Sequence, residues 1–187
     1  MLQKTKPQNA FRVTVLVLPE SSMMCIASVI EPMRAANRVA SEKLYEWQVV
    51  SLNAREITMT CDINLVMDDE FAGTLKGDLL VLVAGFNQMA HVSNYALAKL
   101  RNAASGFDII AGVEAGSWLL ARAGFLDQHS ATTHWEDFES FSEAFPDVDL
   151  KYDRYVIDGR YMTCGGASPA FDMFFDLIRI CRQQNLL

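Results

Sequence analysis

Gly112-Val113-Glu114-Ala115-Gly116 has the form of a nucleophile elbow with a carboxylate at its apex. A G-x-Nu-x-G turn joins a strand to a helix and holds its middle side chain over the carboxyl edge of a sheet. The flanking glycines relieve crowding where the two elements meet. Ser or Cys at the apex performs acyl transfer. Glu114 offers other chemistry: a fixed negative charge for a cation, a general base for water, or a carboxylate nucleophile acting through an ester. His134, twenty residues downstream in Ala131-Thr132-Thr133-His134-Trp135-Glu136, is the candidate partner. Geometry retained with the usual nucleophile gone points to a binding pocket before an acyl-transfer enzyme.

The elements that must position these residues alternate between strand and helix. Phe11 to Leu18 is a β-branched run ended by Pro19, and Ser22 can cap a helix from Met23 to Ala40, with Pro32 placing a kink near Val29. Trp47 to Leu52 reads as a second strand, and Thr58 to Leu65 adds one or two short ones. Asp78 to Ala84 is a third buried strand, Asn94 to Ala104 a helix, Phe107 to Val113 the strand into the elbow, and Ser117 to Ala123 the helix out of it. Asp158-Gly159 is a hairpin turn between Tyr155–Ile157 and Tyr161–Thr163. Ser168-Pro169 opens a last helix, with Phe171, Phe174, Phe175, Ile178 and Cys181 as its apolar face. This order predicts an α/β fold, a three-layer α/β/α sandwich with a mostly parallel sheet. Ligands then sit beyond the carboxyl ends of the strands, where the loops 19–24 and 85–91 meet the elbow. Gly85 and Phe86 lie in the second loop, and their backbone N–H groups face the same space as those of Ala115 and the elbow helix.

With 187 residues, 51% hydrophobic and 21% charged, the chain is long enough for one domain with a sizeable core. No apolar run reaches a membrane span, and residues 1–10 read as a disordered lead-in without the apolar core of a signal peptide. Cys25, Cys61, Cys164 and Cys181 show neither a C-x-x-C pair nor metal-ligand spacing. Reduced thiols of a cytoplasmic protein are expected, with no metal and no other cofactor. Sixteen basic against twenty-three acidic side chains give a net charge of −7, which disfavours nucleic acid as a direct partner of this chain.

Several stretches resemble a known superfamily: the elbow, the helix ending Ala123-Gly124-Phe125-Leu126-Asp127, Thr132-Thr133-His134, and Thr163-Cys164-Gly165-Gly166-Ala167-Ser168. Together they look like the PfpI superfamily. That resemblance implies a class I glutamine amidotransferase-like (flavodoxin-like) fold in which members carry Cys at the elbow and His after the two threonines. Ser22 to Val39, Tyr45-Glu46-Trp47 and Phe145-Pro146-Asp147-Val148 narrow the likeness to the N-terminal domain of GlxA-type, AraC-family transcription regulators. These include sensors of glycine betaine, carnitine and arginine, and in several of them the elbow Cys is replaced, often by an acidic residue. The resemblance implies a basic C-terminal domain with two helix-turn-helix motifs, absent from this chain, so that 11–184 is the effector-sensing half and DNA is met only through the missing domain. It also implies a homodimer. Cys25 falls near the place where many superfamily enzymes carry a Glu that steers the nucleophilic Cys, which opens two readings: an exchange of Cys and Glu across the pocket, or a small buried helix residue.

Each candidate has a plain alternative. Glu114 can cap a helix N-terminus, where a negative charge gains up to about 1 kcal/mol; that leaves the flanking glycines unexplained. His134 can be a structural histidine bonded to backbone. Trp118 suits the core better than a ligand cage, and Trp135 suits the pocket better than Trp118. Met23, Met24, Met33 and Met89 read as core fillers. The expected function is effector sensing, with Glu114, His134, Trp135, Cys25, Gly85, Phe86, Ala115 and Trp118 around a small cationic or zwitterionic metabolite. The alternative is a hydrolase or hydratase using Glu114 with His134.

Overall fold

The computed structural model describes residues 10–85 and 87–183. In chain order the elements are β1 (Phe11–Val17), α1 (Met23–Ala40), β2 (Tyr45–Ser51), β3 (Glu56–Thr58), β4 (Asn64–Val66), β5 (Asp69–Glu70), β6 (Gly77–Ala84), α2 (Gln88–His91), α3 (Asn94–Ala104), β7 (Phe107–Glu114) and α4 (Gly116–Arg122). There follow β8 (Ser130–Ala131), a 3-10 turn (Trp135–Asp137), α5 (Phe138–Ala144), β9 (Asp149–Leu150), β10 (Tyr155–Asp158), β11 (Tyr161–Cys164) and α6 (Ala167–Gln183). Seven strands form the main sheet in the order β10-β11-β7-β6-β1-β2-β5. Its pairings are parallel except β10 with β11.

The central strands are apolar on both faces because both faces are covered. Val13, Val15 and Val17 of β1, with Leu79, Val81 and Val83 of β6, pack under α1 and α6. Leu16, Leu80 and Leu82 face the opposite way, against Leu97 and Leu100 of α3, Leu119 and Leu120 of α4 and Phe141 of α5. The result is the expected three-layer α/β/α sandwich. From β1 the chain crosses first to β2 on one side and then to β6 on the other, so strand order reverses between β1 and β6. The crevice beyond the carboxyl ends of these strands is the natural ligand position.

Several local expectations need correction. β2 begins at Tyr45, two residues before Trp47, because Tyr45 is fully buried against Phe11 in an edge-on ring contact. The predicted short strands form a separate antiparallel hairpin, β3–β4, and β5 is an additional edge strand of the main sheet. Ser22 stands at the N-cap of α1 without a side-chain capping bond, and α1 runs through Pro32 as one helix. α6 starts at Ala167, which puts Pro169 at its third position, still within the turn whose N–H groups need no helical partner. Its buried face is Ala170, Met173, Phe174, Leu177 and Cys181, whereas Phe171 and Phe175 are exposed and pack on each other. The Asp158-Gly159 turn is present, with Gly159 at φ +61°. The proposed lead-in, residues 1–10, falls almost wholly outside the described residues.

Candidate functional site

The elbow stands at the end of β7, where Glu114 adopts φ +59°. A left-handed backbone at a non-glycine residue is strained, and such strain persists where the surroundings enforce it. Gly112 and Gly116 enforce it by letting strand and helix touch. A Cβ on Gly116 would lie 2.1 Å from Leu82 O, and one on Gly112 would lie 2.8 Å from the Gly116 carbonyl carbon and the Ser117 nitrogen. Ser117 Oγ donates to Glu114 O at 3.1 Å and is hydrogen-bonded to the Thr133 hydroxyl at 2.8 Å, tying the turn to the segment that carries His134.

The Glu114 carboxylate meets Cys25, 89 positions away in sequence. Cys25 Sγ donates to Glu114 Oε2 at 3.0 Å, and both residues are buried. Burial, and then the adjacent carboxylate, push the Cys25 thiol far above its ordinary range. It is therefore a protonated donor at neutral pH and a poor nucleophile. Cys164 pairs with Val113 beside the elbow, its Sγ donates to Gly166 O at 3.8 Å, and burial pushes its thiol up to about 12. Cys25 is a small buried residue of α1, and its thiol also faces the carboxylate, so both readings of this position fit the geometry. Among the described residues the hydrogen-bond partner of the carboxylate is the Cys25 thiol.

The amide that an oxyanion hole at such an elbow would use is engaged elsewhere. Ala115 N–H donates to Ala84 O at 3.1 Å. Gly85 is required by close approach, since a Cβ there would lie 2.1 Å from Glu20 O. This contact joins the loop after β1 to the loop after β6. Glu20, also at positive φ, accepts a hydrogen bond from Asn87 and lies 3.8 Å from His91 Nε2. The three predicted loops thus converge on one site. Phe86 lies outside the described residues.

His134 sits at the N-cap of the 3-10 turn. Its Nδ1 accepts the Glu136 N–H at 3.4 Å and lies 3.9 Å from the Glu136 carboxylate. Gly165 and Gly166 run alongside: a Cβ on Gly165 would lie 2.8 Å from Thr133 O, and one on Gly166 4.0 Å from His134 Cδ2. Trp135 is 72% exposed and lies tilted against the His134 ring. Trp118 is placed away from Glu114, in an aromatic cluster with Phe141 and Phe145, and its Nε1 donates to Asp137 at 3.2 Å. Its ring and its N–H are both committed to holding α4 against α5. Cys164 is the residue that sequence reasoning did not select; the Thr-Cys-Gly-Gly stretch was noticed, but nothing in spacing placed its sulfur against the elbow. Among the described residues, no group of three or more His, Cys, Asp or Glu is placed to hold a metal ion.

Comparison with known proteins gives this geometry its context. The sequence profile of the DJ-1/PfpI family matches residues 12–180. The chain is 34% identical over 163 residues to the HTH-type transcriptional regulator CdhR of Pseudomonas aeruginosa, a match spanning 87% of this chain and 48% of that protein. It is 31% identical over 181 residues to the HTH-type transcriptional regulator GlxA of Rhizobium meliloti, spanning 95% of this chain and 55% of that one. The chain spans about half the length of the curated relatives it matches. Among solved structures it resembles an AraC family transcriptional regulator from Pseudomonas putida, with TM-score 0.80, 24% identity and coverage of 90% and 91%. It also resembles the oxidized DJ-1 of Toxoplasma gondii, with TM-score 0.74, 20% identity and coverage of 91% of this chain and 90% of that one.

Proposed function

The chain belongs to the DJ-1/PfpI family, and we propose that it is the effector-sensing domain of a helix-turn-helix transcription regulator of the AraC/GlxA type. One observation carries the reading. The apex of the elbow presents a buried carboxylate held by a protonated thiol, and the neighbouring amide is already bonded. Such a site lacks the thiolate and the free amide of acyl transfer. We take its buried carboxylate as the counter-charge for a small cationic group.

The ligand that fits best is a betaine, a carnitine or an amino-acid-like zwitterion. Its ammonium would face Glu114. Its carboxylate would be received on the side where His134 and Gly165-Gly166 stand. Unit charges about 4 Å apart attract by roughly 4 kcal/mol at an effective dielectric of about 20, before desolvation is subtracted. Trp118 is committed to its own cluster, so any aromatic contribution falls to Trp135. The effector acts by population shift: it favours one arrangement of sensor and DNA-binding halves only as far as it binds that arrangement more tightly. The relatives being regulators, we place the protein in the cytoplasm, as a homodimer that meets DNA through a helix-turn-helix half. No helix among the described residues is long and apolar enough to cross a membrane.

Calorimetric titration of the chain with glycine betaine, carnitine and arginine tests the proposal. Saturable binding of at least one of them, weakened about tenfold or more by Glu114→Gln, supports it. Equal binding by the variant sinks the ion-pair idea. A covalent adduct on Glu114 after incubation with candidate esters, seen by intact mass, would instead support the hydrolase or hydratase reading with His134.

A further inference from the structure

A second depression lies at the other end of the sheet. It has a volume of about 310 Å³ and is lined by Arg12, Val13, Thr14, Lys43, Glu46, Trp47, Gln48 and Lys76. The topology explains why it is open. Residues 52–76, which connect β2 to β6, contain the β3–β4 hairpin and β5 but no helix. Arg12, Thr14, Glu46 and Gln48 therefore occupy the same sheet face as Leu16 and Val50, without the apolar character of those neighbours. Register places them side by side, Arg12 opposite Glu46 and Thr14 opposite Gln48. The floor is ordered, for Thr14 is buried and Gln48 Nε2 donates to its Oγ1 at 3.0 Å.

The charge of this groove contrasts with the rest of the chain. Three adjacent parallel strands each bring a cation to their starting end: Lys76 just before β6, Arg12 near the start of β1, and Lys43 just before β2. Glu46 is the opposing carboxylate in the lining, and it is paired with Lys43 at 2.8 Å. The nearby Asp78 carboxylate accepts the Arg12 backbone N–H at 2.6 Å. The lining carries three cations against one carboxylate in a chain of net charge −7.

We infer that this groove is a second ligand site, for a phosphate monoester or a similar small organic anion. Arg12 and Lys76 supply the cations not held by Glu46, and the Asp78 carboxylate beside Arg12 leaves a net positive charge on this face. Gln48 offers hydrogen bonds from the floor. The volume falls at the small end of ligand pockets. β6 rises about 3.3 Å per residue, which puts the groove about 23 Å from the elbow. The site is thus separate from Glu114 and does not rest on the proposed sensing role.

Calorimetry with glycerol 2-phosphate, with glycerol as the neutral control, tests the inference. Saturable binding of the ester and none of glycerol is expected. Arg12→Gln with Lys76→Gln should weaken it at least about tenfold, while Glu114→Gln leaves it unchanged. Both altered side chains are exposed, so a melting curve like the parent's is expected. If the double variant fails to fold, Lys76→Gln alone carries the same test. Absence of saturable binding, equal binding of glycerol, or undiminished binding by the charge variants overturns the inference.

Discussion

Replacing Cys25 isolates the contact at the centre of the site. Cys25→Val keeps a small branched apolar side chain in the buried position and removes the S–H donor. Glu114 is only 7% exposed, so water cannot fully replace that donor. A hydrogen bond to a charged group contributes about 1.5–3 kcal/mol. The variant should therefore lose about 2 kcal/mol of stability. For a chain of this length that corresponds to a fall in Tm of about 4–8 °C. Cys25→Ser keeps a donor, with a stronger O–H but a shorter reach, and should lose about 1 kcal/mol or less. Urea denaturation, followed by circular dichroism at neutral pH, measures both. If the valine variant is as stable as the parent, or no less stable than the serine variant, the thiol does not hold the carboxylate and the reasoning is wrong.

Three further outcomes follow from the same geometry. Alkylation of the native chain near pH 8 should modify Cys61 alone, because Cys25, Cys164 and Cys181 are buried and their thiols are pushed upward, that of Cys181 to about 11; peptide mass mapping checks this. Raised folded-state values mean that the folded chain holds thiol protons which the unfolded chain releases, so the stability they contribute is complete below the ordinary value of 9.0 and declines as pH rises towards about 12. Denaturation between pH 8 and 11 should show that decline, with a shallower slope in Cys164→Ala. Gly85→Ala drives a Cβ against the Glu20 carbonyl, and a loss of about 3 kcal/mol or more is expected, read as a lowered urea midpoint.

The layers were legible in the sequence because continuous apolar runs such as Asp78 to Ala84 suit only strands covered on both faces. The bounds read for α1 and α3 are those the structure shows, although Ser22 makes no side-chain cap and the serine that does cap, Ser93 of α3, was not singled out. β5, β8 and β9 were invisible, being two-residue strands that exist only where a neighbour offers a free edge. α5 was missed as well, and with it the fate of Trp118, whose ring contacts are Phe141 and Phe145 on and just after that helix. The apex carboxylate was legible from the two glycines around it. Its partner was not: 89 positions separate Cys25 from Glu114, and only the family resemblance hinted at the exchange.

The most direct test of effector recognition is a crystal structure of the chain with whichever of betaine, carnitine or arginine binds it best. The account predicts the ligand's cationic nitrogen about 4 Å from the Glu114 carboxylate, with no covalent bond and with Glu114 still at positive φ. A ligand bound away from the elbow, or an ester formed on Glu114, would contradict it.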